Sequence, residues 1–220
     1  MAQTPLPRLQ QLTALTIGRH VSVCAATTNV LAAAVNVETL TIGNCVGPDV
    51  LAAAYAAWSK KRGGTPLLTS LTLEHPEPYL EGVGAICPEL RHLTLKGVLF
   101  DKLGPTKALR LPQALQSLTV TLWAYENKGE ASIEKQHRSA DNAALLRRLF
   151  RACPLARSIS VTWRSYHVDE SVIAAKRVGD ALASLPRTIE SLELGRMSLD
   201  DVDAFAGVDV PRLRQLTLRG

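Results

Sequence analysis

Few residues in this 220-residue chain have types and spacing that suit chemistry. Its four cysteines could serve as thiolate nucleophiles or metal ligands, and its five histidines as ligands or proton carriers. Their spacing argues against both roles. Cys24 and Cys45 are isolated, and no C-x-x-C or zinc-type spacing occurs. Cys87 and Cys153 each stand eight residues before the end of a similar apolar segment, at Leu95 and Val161. Equivalent positions of that kind predict buried structural thiols. His20, His75, His92, His137 and His167 do not pair at ligand spacing. Glu126, Glu130 and Glu134 recur at four-residue steps, the pattern of a solvated helix face. Gly63-Gly64 reads as a helix stop, and no G-x-S-x-G, H-E-x-x-H or phosphate-binding loop is present. No catalytic residue, metal site or cofactor is expected, and the chain is read as not an enzyme.

Binding anchors are easier to find. Trp, Tyr and Arg supply most of the energy at protein interfaces. Leu122, Trp123 and Tyr125 fall close together, as do Trp163, Arg164 and Tyr166. Two of the three tryptophans and two of the four tyrosines lie there. Two readings stay open: the aromatics close a local core under an inserted loop, or they form a partner-binding patch. His92 is a further distinctive group.

The elements that must position these groups are repeats. The pattern L-x-x-L-x-L ends the stretch Cys87–Leu95 and recurs along the chain. Its copies are Leu12, Leu15, Ile17; Val37, Leu40, Ile42; Leu68, Leu71, Leu73; and Leu90, Leu93, Leu95. Then come Leu115, Leu118, Val120; Ala156, Ile159, Val161; Ile189, Leu192, Leu194; and Leu213, Leu216, Leu218. The mean spacing is about 29 residues, at the upper end of the ~20–29 typical of short solenoid repeats. Each L-x-L predicts a short strand with two apolar side chains on one face. Copies running in one direction predict a parallel ladder, with the connections returning on the other side. Helices are expected at Val50–Lys61, with Asp49 as N-cap, at Asp141–Ala152, at Glu170–Leu185 and at Asp200–Phe205. The segments after Leu73 and Leu95 are expected to be irregular or a turn or two of helix.

Strand alternation predicts the outward residues. Between the two apolar positions they are Thr16, Thr41, Thr72, Thr94, Thr119, Ser160, Glu193 and Thr217. One step earlier they are Ala14, Thr39, Ser70, His92, Ser117, Ser158, Ser191 and Gln215. The face is therefore mostly hydroxyl, which suits a half-exposed sheet. One repeat is long: 41 residues separate Val120 from Val161, and the excess, 124–139, reads as an exposed inserted loop.

The pattern resembles the leucine-rich repeat superfamily from Leu9 to Leu218. The resemblance implies one α/β domain over 1–220, a solenoid or horseshoe. Its parallel strand ladder would lie on the concave face, with helices or irregular segments on the convex face. Where that family carries asparagine or cysteine, Cys45 fits, while His20, Pro76, Val98, Trp123, Arg164 and Met197 depart. Cys87-Pro88-Glu89-Leu90-Arg91 and Cys153-Pro154-Leu155-Ala156-Arg157 resemble repeat openings of the irregular F-box and ribonuclease-inhibitor-like type. That resemblance implies a non-catalytic protein-recognition module, or else the substrate-recognition subunit of a cullin–RING ubiquitin ligase, here without an F-box before Leu9.

Composition sets the remaining bounds. Apolar residues make up 46% and charged residues 20%, the balance of a folded globular domain. The net charge of +5 is spread out, with Lys60-Lys61-Arg62 the tight run. Binding of nucleic acid or an anionic surface through basic convex helices is a third reading. No signal-peptide core and no membrane-length apolar window is seen, so a cytoplasmic protein with reduced thiols is expected, and a nuclear one fits equally. No capping segment is visible at either end of the array. The alternatives are a fragment, a cap supplied by a protein partner or by self-association, or bare sheet edges.

Overall fold

The computed structural model describes residues 9–18, 25–43, 46–76, 78–98, 109–124, 144–165, 181–195, 205 and 207–219. Eight strands form one open parallel sheet in sequence order. They are β1 (Ala14–Ile17), β2 (Thr39–Ile42), β3 (Ser70–Glu74), β4 (His92–Val98), β5 (Ser117–Ala124), β6 (Ser158–Ser165), β7 (Ser191–Gly195) and β8 (Gln215–Arg219). Every L-x-L segment is a strand, and adjacent copies align position for position, as Leu40 with Leu71 and Leu71 with Leu93.

Alternation explains the core. From β2 to β7 both apolar residues of each L-x-L are buried, and one continuous hydrophobic cluster joins them to the connecting segments. The first apolar position of each copy joins the same cluster, buried at Val37, Leu68, Leu90, Leu115, Ala156 and Ile189 and partly buried at Leu12 and Leu213. Burying one such leucine contributes roughly 1.5–3 kcal/mol against leaving it exposed.

A backbone motif locks each repeat to the next. The Thr13 carbonyl accepts from the N–H groups of Glu38 and Thr39, at 2.8 and 3.0 Å. Glu38 does the same for Thr69 and Ser70, and Thr69 for Arg91 and His92. The pattern continues through Arg91, Gln116, Arg157 and Glu190. One carbonyl with two lone pairs thus satisfies two donors at every strand entry.

Helix α1 (Ala25–Ala33) and helix α2 (Pro48–Arg62) carry the connections on either side of β2. The expected cap of α2 is corrected. Gly47 is the N-cap, without a side-chain bond, and Asp49 lies inside the first turn. Proline lacks an N–H and has its φ preset, so Pro48 opens the helix one residue before the expected cap. Asp49 at the start and Lys60, Lys61 and Arg62 at the end oppose the helix dipole, and Gly63 ends it at φ 67°. Leu51, Ala54 and Trp58 face inward, and the Trp58 Nε1–H donates to the Leu31 carbonyl at 2.6 Å, tying α2 to α1.

Between β3 and β4 the helix shrinks to one turn, α3 (Val83–Ile86), as the prolines and glycines there predict. The Gly84 N–H donates to the Arg110 carbonyl at 2.8 Å, and the Arg110 N–H donates to the Leu80 carbonyl at 3.1 Å. In β4 the register with β5 shifts between Lys96 and Val98, a bulge at Gly97, whose φ is 74°. Residues 144–152 are helical, with Leu145, Leu146, Leu149 and Phe150 buried, which matches the expected stripe. Of the helix expected at Glu170–Leu185, only 181–185 is described, with Ala181, Leu182 and Leu185 buried. The helix expected at Asp200–Phe205 falls, apart from Phe205, outside the described residues. The same holds for the loop expected at 124–139, apart from Ala124.

Candidate functional site

The outward side of the sheet is built by the alternation that builds the core. Pairing places Ala14, Thr39, Ser70, His92, Ser117, Ser158, Ser191 and Gln215 in one row across the eight strands. Thr16, Thr41, Thr72, Thr94, Thr119, Ser160, Glu193 and Thr217 form the next. None of these sixteen residues is buried. Adjacent strands lie about 4.8 Å apart, so each row is a ladder of short side chains.

The structure adds a third outward row that reading only the L-x-L triplets misses: Glu74, Lys96, Thr121, Thr162 and Arg219, with Gly195, which is buried, holding the place between the last two. The signal was the same period of two, carried one step past the last leucine. Glu74 stands in register with Lys96. At the other end of the sheet, Glu193 accepts a hydrogen bond from the Ser160 hydroxyl at 3.3 Å and pairs with the Arg219 guanidinium at 2.8 Å. Charge is therefore gathered at two places, β3–β4 and β7–β8, with hydroxyl-bearing β5 and β6 between them. His92 is exposed and flanked in its row by Ser70 and Ser117.

The expected aromatic patch is partly corrected. β5 and β6 are neighbours in register, as the shared patch required, but both continue as strands past the L-x-L. Leu122 is consequently not a surface anchor. It falls in phase with Leu118 and Val120 and is buried with them in the core. Trp163 is the register partner of Leu122, and Arg164 that of Trp123. Tyr125 and Tyr166 lie outside the described residues.

Cys87 and Cys153 are buried, and burial pushes both thiols up to about 12. The Cys153 thiol donates to the Leu149 carbonyl at 3.1 Å. Neither is a nucleophile at neutral pH, so the expectation of structural thiols holds at both positions. The Tyr55 phenol is also pushed up to about 12, first by burial and then by the charges of Cys87 and Glu89. Its hydroxyl is buried and has no hydrogen-bond partner among the described residues.

The basic run at the end of α2 is partly committed to the fold. Lys61 donates to the Ala32 carbonyl at 2.8 Å and Arg62 to the Asn36 Oδ1 at 2.7 Å, while Asn36 donates to the Gln10 carbonyl at 2.6 Å. Two of the three cations thus tie the end of α2 to α1 and to the turn that follows it. Among the described residues no three or more His, Cys, Asp and Glu side chains gather as a metal site, and no helix is long and apolar enough to cross a membrane. No family model matches the chain, and no curated protein matches it.

Proposed function

We propose that this chain is a non-catalytic protein–protein recognition module, built as a leucine-rich-repeat solenoid with its strand ladder on the concave side. The observation that carries the reading is the three-row outward face. It is broad, open and lined by short hydroxyl side chains, with charged groups at β3–β4 and β7–β8. Such a face fits another protein's surface and offers it hydrogen bonds. The buried L-x-x-L-x-L positions and the one-carbonyl, two-donor link at each strand entry support the solenoid class. The paired ends of β5 and β6, with Trp123 opposite Arg164, extend the proposed surface toward the long connection.

Affinity purification from cells with the wild-type chain, read by mass spectrometry, tests this reading. The triple variant His92→Ala, Lys96→Glu, Thr94→Arg should lose a specific protein that Lys60→Glu on α2 retains. Retention of every captured protein by the triple variant would overturn it.

A further inference from the structure

We infer that the strand-entry rim from β4 to β8 docks an acidic polyproline-II segment of a partner polypeptide, with a carboxylate at every third residue.

One repeated turn builds the rim. The pattern Pro-x-x-Arg occurs at Pro88–Arg91, Pro154–Arg157 and Pro211–Arg214. Each copy is closed in the same way. The Leu90 N–H donates to the Cys87 carbonyl at 3.2 Å, the Ala156 N–H to Cys153 at 3.1 Å and the Leu213 N–H to Val210 at 3.1 Å. The three arginines therefore leave equivalent backbone positions. The link of one carbonyl to two N–H groups sets them in a single row that runs Arg91, Gln116, Arg157, Glu190, Arg214. Arg91 and Arg157 are exposed although strands flank them on both sides, so this position faces solvent inside the array.

The row is short of acid. Arg91, Arg214 and Arg151, the last in the helix that leads to β6, are exposed and in no ion pair among the described residues. Arg157 meets Glu190 at 3.9 Å with side chains 68% and 37% exposed, a contact of little strength. Asp209 is held by Arg187 at 2.6 Å. Glu89 stands in the first of the turns but on the side of α2, where its charge acts on the Tyr55 phenol.

Spacing selects the occupant. The arginines stand on alternate strands, about 9.6 Å apart for a strand separation of ~4.8 Å. A polyproline-II chain has three residues per turn and rises about 3.1 Å per residue, so every third side chain shares one face at about 9.3 Å. An extended strand repeats a face at about 6.7 Å, and a helix returns to one at about 10.5 Å over seven residues. Each carboxylate can take a guanidinium through two parallel N–H···O bonds. Glu190, between Arg157 and Arg214, opposes a phosphate chain, whose charge has no gaps, but falls opposite uncharged residues of the peptide. Ser117, Ser158 and Ser191 line the next row and offer hydroxyls alongside. Docking here does not require the outward face to bind anything.

The probe is a fluorescein-labelled peptide, Glu-Pro-Pro-Glu-Pro-Pro-Glu, titrated with the full chain at low salt and read by anisotropy. Saturable binding is expected. A peptide of the same composition with its acids clustered, Glu-Glu-Glu-Pro-Pro-Pro-Pro, should bind about tenfold more weakly. Arg91→Glu with Arg157→Glu should abolish binding of the spaced acidic peptide. The same variant should bind Lys-Pro-Pro-Lys-Pro-Pro-Lys more tightly than wild type does, a reversal that a misfolded chain would not give. Absence of saturation, equal affinity for the spaced and clustered peptides, or indifference to the double variant overturns the inference. So does an oligothymidylate that binds more tightly than the spaced peptide and displaces it, because the rim then serves a nucleic acid.

Discussion

Gly84 lies so close to Leu111 that a Cβ on it would stand 2.6 Å from the Leu111 carbonyl oxygen. The obstacle is backbone, which cannot rotate away as a flexible side chain would. Here the single-turn connection α3 rests directly on the chain entering the next repeat. The two backbone hydrogen bonds between Gly84, Arg110 and Leu80 depend on that approach. Gly84→Ala should therefore destabilise the fold by about 1–3 kcal/mol, as overpacking does. Urea unfolding checks it, and a neutral result would mean that α3 does not rest on this backbone.

Equivalent leucines should not be equivalent in energy. Leu93 is buried mid-array, and Leu93→Ala should cost roughly 2–5 kcal/mol. Leu216 holds the same position in its repeat but is half exposed, and Leu216→Ala should fall within about 0.5 kcal/mol of neutral. Equal losses in thermal or urea unfolding would show that β8 is covered in solution.

The buried thiols carry a pH prediction. Cys87 and Cys153 rise from an ordinary value of 9.0 to about 12 in the fold. A raised folded value means the protonated form is favoured by folding. Its contribution is full below about pH 9 and is lost as pH rises from there toward 12. Stability should accordingly decline across that window, and Cys87→Ala with Cys153→Ala should flatten the decline relative to wild type. In the native protein at neutral pH, iodoacetamide should modify neither thiol until denaturant is added. Rapid native labelling of either one, mapped by peptide mass spectrometry, would contradict their burial.

Salt separates recognition through the outward face from electrostatic capture of a polyanion. Neutralising many phosphates gives a steep, linear loss of log affinity with log salt. Complexes recovered with this chain should persist when salt is raised from about 50 to 200 mM, a range that costs a phosphate-bound protein ~10³–10⁵ in affinity. The bonds that Lys61 makes to α1 and Arg62 to Asn36 favour that outcome. Collapse of binding over this range would point to nucleic acid.

Much of the architecture was legible in the residues. Leu-x-Leu spacing places two side chains on one face whatever the neighbours are. The strands, their inward leucines and the Thr-rich outward row therefore followed from local geometry alone. Pro48 and Gly63 mark the two ends of α2 by equally local rules, although the N-cap is Gly47, two residues before the expected Asp49. The candidate site was less legible. Leu122 looked like an anchor because it follows the L-x-L, yet β5 runs on for the length of its partner β6 and carries Leu122 inward. Strand length is decided by pairing, and the signal in the residues was the alternation of Leu118, Val120 and Leu122 with Thr119 and Thr121, carried past the L-x-L.

The sequence by itself determined which side of each strand faces the core, because alternation is a property of the extended backbone. Repetition of one pattern then determined that the strands are parallel copies. Only the tertiary structure decided which copies stand side by side in which register, and so which charges meet. Glu193 is an outward acid in sequence, but a held one in space, between Ser160 and Arg219 from the strands on either side. Tertiary structure also decided that Leu194 is core while Leu218 is surface. Burial requires a neighbour to exclude water, and a repeat cannot supply its own.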